Sequence, residues 1–87
     1  MQVEGIVSVI GEVESFGSNG FTKRLLVVKT TEQYPQDIPV EFVKDKTSLL
    51  DALVDGDSVK VSINLRGREH NGKYYLSAQG WRIDIVE

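Results

Sequence analysis

The sequence contains no cysteine and a single histidine among its 87 residues. Disulfide bridges and cysteine-based metal sites are therefore excluded, and one histidine cannot form a zinc site alone. We expect neither a metal nor another cofactor. A chain without disulfides suits a reducing compartment, so we expect a cytoplasmic protein.

Long apolar runs are also lacking. The longest, residues 25–28, has four residues, whereas a transmembrane helix needs about 20. The N-terminus has neither the basic start nor the apolar centre of a signal peptide. We therefore expect no membrane association and no export by that route.

The chain has no excess of positive charge. Its 10 lysines and arginines are outnumbered by 13 aspartates and glutamates, and the formal net charge is −3. Non-specific attraction to polyanions depends on positive potential over the whole surface, so any nucleic-acid site must be a local patch. A chain of this length buries only about 60–65% of its unfolded surface, and we expect residues 1–87 to form a single domain.

Catalytic groupings are missing as well. The acidic residues have no histidine, cysteine or serine partner at a spacing that suggests nucleophilic, metal or paired-carboxylate chemistry. His70, which precedes Asn71 and Gly72, is typical of a solvated turn residue. We expect no enzymatic activity. The acids considered are Glu12, Glu14, Asp45, Asp51, Asp55 and Asp57.

The most informative segment that is present spans residues 57–86, which predicts two long strands joined by a tight turn. Apolar residues fall on odd positions and polar residues on even positions from 58 to 65, the period of a strand with one buried face. Asn71 and Gly72 favour the two positive φ angles of a type I′ turn. The aromatic and β-branched run over 74–85 is long enough to pair with most of the first strand.

Three strands and a helix are predicted before this hairpin. Residues 2–16 indicate a long, bent strand, with Gly5 and Gly11 at a bulge or bend that lets it serve two sides of a small barrel. A flexible loop over 17–20 leads through residues 22–24 to a second strand at 25–30, and Pro39 places the start of a third strand, 38–43, at a sheet edge. The remaining segment, 44–54, predicts a short helix capped by Asp45 or Thr47 and closed by a left-handed Gly56.

Three strands, a short helix and two strands follow one another in the order of an OB-fold. We therefore predict an all-β fold with one helix, a five-stranded Greek-key barrel with the helix between strands 3 and 4. In that architecture ligands lie across strands two and three, flanked by the loops that join strands one to two and four to five.

Residues 68–75 and 80–83 resemble the carboxy-terminal signature of a family of small single-domain OB proteins in bacteria and their phages, and residues 32–35 and 49–57 match the same layout. The family is similar in architecture to single-stranded-DNA-binding proteins. The resemblance implies DNA binding in replication, repair or recombination, with replication or recombination proteins as possible further partners. Bacterial single-strand binders recruit partners through an acidic tail, which the sequence up to Glu87 does not contain, so we expect partner recruitment to use another route or not to occur.

Single-strand binders combine a cationic groove with aromatic side chains, on which each stacked base contributes about 1–3 kcal/mol. Five basic residues and one acid lie between positions 58 and 83, so the predicted hairpin is locally cationic. The candidate phosphate contacts are Lys23, Arg24, Arg66, Arg68, Lys73 and Arg82. The candidate stacking residues are Phe16, Phe21, Tyr34, Tyr74, Tyr75 and Trp81.

Each candidate also has a structural interpretation. The cations can form an ordinary solvated strand face. Trp81 shares the parity of the isoleucines that follow it, which favours burial in the core over stacking. Tyr74 and Tyr75 point to opposite faces, so one can be buried and the other presented. Phe21, beside a glycine, has a better claim to exposure than Phe16, and Phe42 is expected in the core.

Three functions stay open. We prefer a single-stranded-DNA-binding protein of low sequence specificity. The alternative is an OB-fold adaptor that binds a protein, or another copy of itself, without nucleic acid. RNA or oligosaccharide binding would use the same groove. Because a small open sheet leaves an exposed edge, a homodimer formed by strand pairing is a further expectation.

Overall fold

A computed structural model describes residues 1–17 and 20–86, so Ser18 and Asn19 of the predicted loop lie outside the described residues. The described chain forms six β-strands and a 3₁₀ helix. In chain order these are β1 (Gln2–Ile10), β2 (Glu14–Phe16), β3 (Phe21–Thr30), β4 (Asp37–Val43), the 3₁₀ helix (Lys44–Ala52), β5 (Ser58–His70) and β6 (Lys73–Ile85).

The six strands belong to one sheet that curves into a ring. Their order is β1-β5-β6-β4-β3-β2, and β1 also pairs with β3. The pairing of β4 with β6 is parallel and short, joining Val40 to Ala78 and Glu41 to Gln79. The predicted all-β OB-fold with a helix between the third and fourth long strands is confirmed. The strand count is six rather than five, because residues 11–13 divide the predicted first strand into β1 and β2.

Strand β1 pairs with β3 on one side and with β5 on the other, as predicted. Gly5 is the cross-strand partner of Thr30 in β3 and of Val59 in β5. A Cβ atom at this position would overlap the Lys29 carbonyl group, so only glycine permits the close approach. The register shift between β1 and β3 falls at Ser8, so the bulge that bends the strand is not at either of the glycines expected to form it.

The inward side chains of five strands and the helix form one core. Phe42 is fully buried at its centre, as predicted, and it packs against the backbone of Gly80 on β6. From its start to Pro39, β4 has no partner strand on its β6 side, because its pairing with β6 begins at Val40. The buried core residues are Val7, Leu26, Val28, Val40, Phe42, Leu50, Leu53, Val59, Val61 and Ile63.

The helix differs from the prediction at its start. It begins at Lys44, directly after β4, and its N-cap position, Val43, makes no side-chain capping bond. The expectation that Asp45 or Thr47 caps the helix is therefore wrong. Both residues lie inside the helix, where the Thr47 hydroxyl donates a 3.0 Å hydrogen bond to the Lys44 carbonyl oxygen. Gly56 has a positive φ of 95°, but the helix ends at Ala52 with Leu53 as its C-cap, so the expectation that Gly56 closes the helix is wrong.

Strands β5 and β6 form the predicted hairpin. Asn71 and Gly72 have φ angles of 53° and 78°, and His70 pairs with Lys73 across the turn, which confirms the type I′ geometry. The Gly72 amide donates to Glu69 Oε2 at 2.8 Å and holds the turn closed. Residues 64–76 are exposed and form what we call the hairpin arm. Among the described residues, no helix combines the length and the apolar character of a membrane span.

Candidate nucleic-acid interface

An open groove of about 440 Å³ lies between the hairpin arm and the outer faces of β3 and β4. We call it the hairpin groove. It brings together five of the side chains that the sequence singled out, and the remaining lining residues come from β4, β5 and β6. The lining consists of Phe21, Lys23, Glu41, Val43, Arg66, Gly67, Arg68, Tyr75, Leu76, Ser77 and Gln79.

Strand alternation explains why the polar members share this face. Arg66 is the direct partner of Ser77, and Arg68 of Tyr75, so the side chains of each pair lie on the same side of the hairpin. On β4, Glu41 lies between the buried residues Val40 and Phe42 and therefore points outward. The groove face is thus the outer face of the sheet, opposite the core.

An aromatic pair formed by β2 and β3 lies beside the groove, and one of its two rings, that of Phe21, lines it. Phe16 and Phe21 are cross-strand partners whose ring centroids are 6.5 Å apart. Lys23 Nζ lies 5.4 Å from the Phe16 centroid. Phe16 is 45% exposed, whereas Phe21 is half-buried in the groove wall. The expectation that Phe21 is the more exposed of the two is therefore wrong: Phe21 forms part of the groove wall, whereas Phe16 lies outside the groove lining.

The cations of the groove differ in how they are paired. Lys23 Nζ lies 2.8 Å from Glu41 Oε2, so its charge is compensated. Arg66 Nε donates to the Gln79 side-chain oxygen at 3.3 Å, and Arg68 lies over the Tyr75 ring. In the described part of the chain, neither arginine forms a salt bridge. Arg66 and Arg68 therefore carry the uncompensated positive charge of the groove.

Arg24 does not belong to the groove. It lies within β3 rather than in a loop, because the strand begins at Phe21 and not at residue 25 as predicted. Strand alternation turns the Arg24 side chain toward the helix, where Nη1 lies 2.7 Å from Asp51 Oδ1 and donates a hydrogen bond to the Thr47 carbonyl oxygen. Its Nε donates to the Gly11 carbonyl oxygen. Its role is to tie the helix to the end of β1, which argues against the predicted phosphate contact.

Trp81 and Arg82 lie on a different part of the outer face. Ser62 pairs with Arg82 and Ile63 with Gly80, which leaves Trp81 as the extra residue of a β-bulge. Trp81 is 47% exposed, so its predicted burial is wrong: the bulge breaks the parity from which burial was inferred. Trp81 lines a shallow surface hollow together with Met1, Gln2, Lys60, Ser62, Arg82 and Asp84. Within it, Arg82 Nη2 lies 3.2 Å from Asp84 Oδ1.

The remaining candidates lie at or beyond the ends of the hairpin groove. Lys73 lies on the same face of β6 as Tyr75, at the tip of the hairpin arm. Tyr74 projects from the opposite face, and because it is 83% exposed while Tyr75 is 46% exposed, the expectation that one of them is buried is wrong. Tyr34 is exposed in the connection between β3 and β4, outside the groove lining.

Sequence reasoning missed two residues at the centre of the groove, Glu41 and Gln79. Alternation alone places Glu41 on the outer face of its strand. Nothing local in the sequence indicates that β4 meets β6 in a parallel pairing that makes these two residues partners. Among residues 1–17 and 20–86, no group of three histidine, aspartate or glutamate side chains is arranged to hold a metal ion.

Comparison with known proteins identifies a family and a fold. The family model described as Domain of unknown function (DUF3127) matches residues 2–84. No curated protein sequence matches the chain.

Several solved structures resemble the whole chain. The mitochondrial single-stranded DNA binding protein Rim1 of S. cerevisiae, in its Form1 structure, has a TM-score of 0.84 at 11% identity, over 100% of this chain and 94% of that one. The SSB domain of a Synechococcus sp. protein has a TM-score of 0.75 at 17% identity, over 95% of this chain and 90% of that one. The second single-stranded DNA binding protein of Mycobacterium smegmatis has a TM-score of 0.71 at 16% identity, over 99% of this chain and 84% of that one. At these identities the likeness establishes the fold, and it confirms the architectural resemblance expected from the sequence.

Proposed function

Because this chain belongs to the family described as Domain of unknown function (DUF3127), whose description assigns no activity, we propose a function from the groove itself. The protein binds single-stranded DNA with low sequence specificity and performs no catalysis. The observation that carries this proposal is that two uncompensated arginines, Arg66 and Arg68, and two aromatic rings, Phe21 and Tyr75, face one open groove. The solved structures of similar fold, named as single-stranded DNA binding proteins, support it.

The two walls of the groove have complementary tasks. Arg66 and Arg68 follow one another on the same face of β5 and contact successive phosphates. Phe21 on β3 and Tyr75 on β6 offer ring faces on which bases stack, whatever their sequence. Lys73 continues the line of positive charge to the hairpin tip. Since the net charge of the chain is negative, binding depends on this local patch and weakens as salt rises.

The setting that we propose is DNA replication, repair or recombination in the cytoplasm. This follows from the sequence resemblance and from a groove that accepts an unpaired strand. Stacking on Phe21 and Tyr75 requires bases that are free of a complementary strand, so duplex DNA is a poor ligand.

A titration of the purified protein against labelled oligonucleotides tests this function. Fluorescence anisotropy at low salt compares oligo-dT, oligo-rU and duplex DNA of equal length. We expect binding to oligo-dT that exceeds binding to the duplex and falls steeply with added salt. Undetectable binding of every oligonucleotide at low salt would contradict the proposal and favour the adaptor alternative. Tighter binding of oligo-rU than of oligo-dT would identify RNA as the ligand.

We also propose that the protein forms a homodimer. The hairpin arm carries three exposed apolar side chains, Leu65, Tyr74 and Leu76, which are 48%, 83% and 71% exposed, and of these only Leu76 also borders the hairpin groove. Contiguous exposed apolar side chains of this kind mark an interaction surface. A second copy of the chain provides the same apolar strip, and a twofold axis can bring the two together as an isologous interface.

Sedimentation velocity tests the dimer. We expect the wild-type protein to sediment as a dimer and Leu76→Glu to sediment as a monomer, because a charge on this strip opposes its burial. Val54→Glu is the matched control, since Val54 is also exposed but lies in the turn before β5. A monomeric wild-type protein at micromolar concentration would rule the homodimer out.

A further inference from the structure

Trp81 is the single tryptophan of the chain, and it lies on the surface although tryptophan is on average one of the more buried residues. As the extra residue of the bulge, it lines the hollow beside Ser62 and Arg82 instead of packing into the core. In the described residues, its ring stacks on no other aromatic ring and lies under no cation. A large ring face is therefore open to a ligand.

The outer face of β6 connects Trp81 with the hairpin groove. Alternate residues from Tyr75 to Gln79 line the groove, and Trp81 is the next residue in that alternation. On β5 the partner of Gln79 is Asn64, which is exposed and continues the same face. Because a strand rises about 3.3 Å per residue, Tyr75 and Trp81 lie about 20 Å apart along β6. Two exposed rings thus follow one another on one face of one strand.

The hollow around Trp81 is close to neutral, unlike the groove. Arg82 is paired with Asp84 at 3.2 Å. Lys60 has an acid as its partner on each neighbouring strand, Glu4 on β1 and Asp84 on β6. The two positive charges are therefore offset by two negative ones. The hollow offers a surface for stacking and adds little attraction for phosphate.

We propose that Trp81 is a second base-stacking site for the single strand that occupies the hairpin groove. This inference rests on the proposed DNA-binding function and lengthens the path of the strand beyond the groove, along the outer face of β6. The occupant is the same strand rather than a separate ligand, because a neutral hollow lacks the charge that holds phosphates and the groove, on the same face, supplies it.

This extension agrees with the low sequence specificity of the proposed function. Every base has a π-face, so a stacking site accepts any of them. The separation of about 20 Å between Tyr75 and Trp81 also suits the length of strand that one OB-fold holds, about 4–16 nucleotides. A strand that fills only the groove ends before it reaches the tryptophan.

Because the chain has one tryptophan, its intrinsic fluorescence reports on this site alone. Oligo-dT of about 4 and about 12 nucleotides, lengths within the range for one OB-fold, is titrated into the wild-type protein at low salt, with anisotropy measured in parallel. We expect both to bind and the longer one to quench the tryptophan emission much more strongly, since a base stacked on the indole quenches it. Anisotropy that shows binding of the longer oligonucleotide without any change in emission would overturn the inference and leave the DNA-binding function intact. Failure of both to bind would overturn the proposed function, and the stacking site with it.

Trp81→Ala separates stacking from an indirect effect on the emission. It should weaken binding of the longer oligo-dT by about fivefold or more, the lower end for the loss of one stacked base, and leave the affinity for the shorter one nearly unchanged. The shorter oligonucleotide is thus an internal control for the fold of the variant, and equal losses for both lengths would contradict a second site. Trp81→Phe keeps a ring and should retain most of the affinity.

Two further results would also overturn the inference. Since the hollow is close to neutral, Trp81→Ala should keep the wild-type salt dependence, and a shallower dependence would show a phosphate contact instead of stacking. Tryptophan emission that changes on dilution of the protein and not with DNA would assign the ring to contact with a second copy of the chain.

Discussion

The guanidinium carbon of Arg68 lies 5.5 Å from the centroid of the Tyr75 ring, and the two residues are direct partners across β5 and β6. A cation over a ring face is attracted by the π-electrons, so each side chain limits the motion of the other. The pair combines on one face of the hairpin arm the two chemical groups that a single-strand binder needs.

Replacement of Tyr75 by alanine should weaken single-stranded DNA binding by about 1–3 kcal/mol, the range found for the loss of one stacked base. Anisotropy titration at constant salt measures the change. Tyr74→Ala removes the same side chain from the opposite face of the arm and should have little effect. Equal losses in the two variants would show that the hairpin groove is not the binding face.

Replacement of Arg66 and Arg68 by alanine should also reduce the salt dependence of binding. Each phosphate contact contributes about 0.7 to the slope of log K against log salt for a single strand, so the slope should become shallower by about 1.4 when both are lost. A control with Lys29→Ala and Lys46→Ala removes the same charge outside the groove lining and should leave the slope unchanged. An unchanged slope in the arginine variant would place the phosphates elsewhere.

Gly80→Ala should destabilise the protein, because the new Cβ atom would overlap the ring of the fully buried Phe42. Overpacking of this kind costs about 1–3 kcal/mol, which urea denaturation followed by circular dichroism measures. The control is Gly67→Ala on β5, where a Cβ atom has open space with its nearest neighbour 4.0 Å away. Stability loss in the control as large as in Gly80→Ala would contradict the packing account.

Arg24→Met should lower the free energy of unfolding without changing the affinity for DNA. The substitution removes the hydrogen bonds that Arg24 donates to the Gly11 and Thr47 carbonyl oxygens together with its ion pair to Asp51, a loss of about 1–3 kcal/mol for part-buried contacts. Lys23 is more exposed than Arg24, and the ion pair with Glu41 that Lys23→Met removes should contribute only about 0–1 kcal/mol. A substantial loss of DNA affinity in a folded Arg24→Met variant would restore Arg24 as a phosphate contact.

Much of the fold could be predicted from local patterns. The alternation over 58–65 and the Asn71-Gly72 dipeptide predict a hairpin without knowledge of any other part of the chain, because strand period and turn chemistry depend on near neighbours. The core position of Phe42 follows from the same alternation. Helix capping was predicted wrongly because β4 runs directly into a 3₁₀ helix, which begins before the residues expected to cap it.

The candidate site was predicted only in part. Phe21, Lys23, Arg66, Arg68 and Tyr75 meet in the hairpin groove, as expected of residues near the first loop and the hairpin. The positions of the other candidates depend on features that have no local signal. A bulge exposes Trp81, and the early start of β3 turns Arg24 toward the helix.

By itself, the sequence determined the order of strands, the hairpin with its turn, and the clustering of positive charge in an acidic chain. Only the tertiary structure decided which of those charges are free, because Glu41 neutralises Lys23 and Asp51 engages Arg24 across distances of many residues along the chain. It also decided that Glu41 and Gln79 lie side by side. The register between strands that are distant in sequence is set by closure of the sheet around a common core, and no short stretch of sequence encodes it.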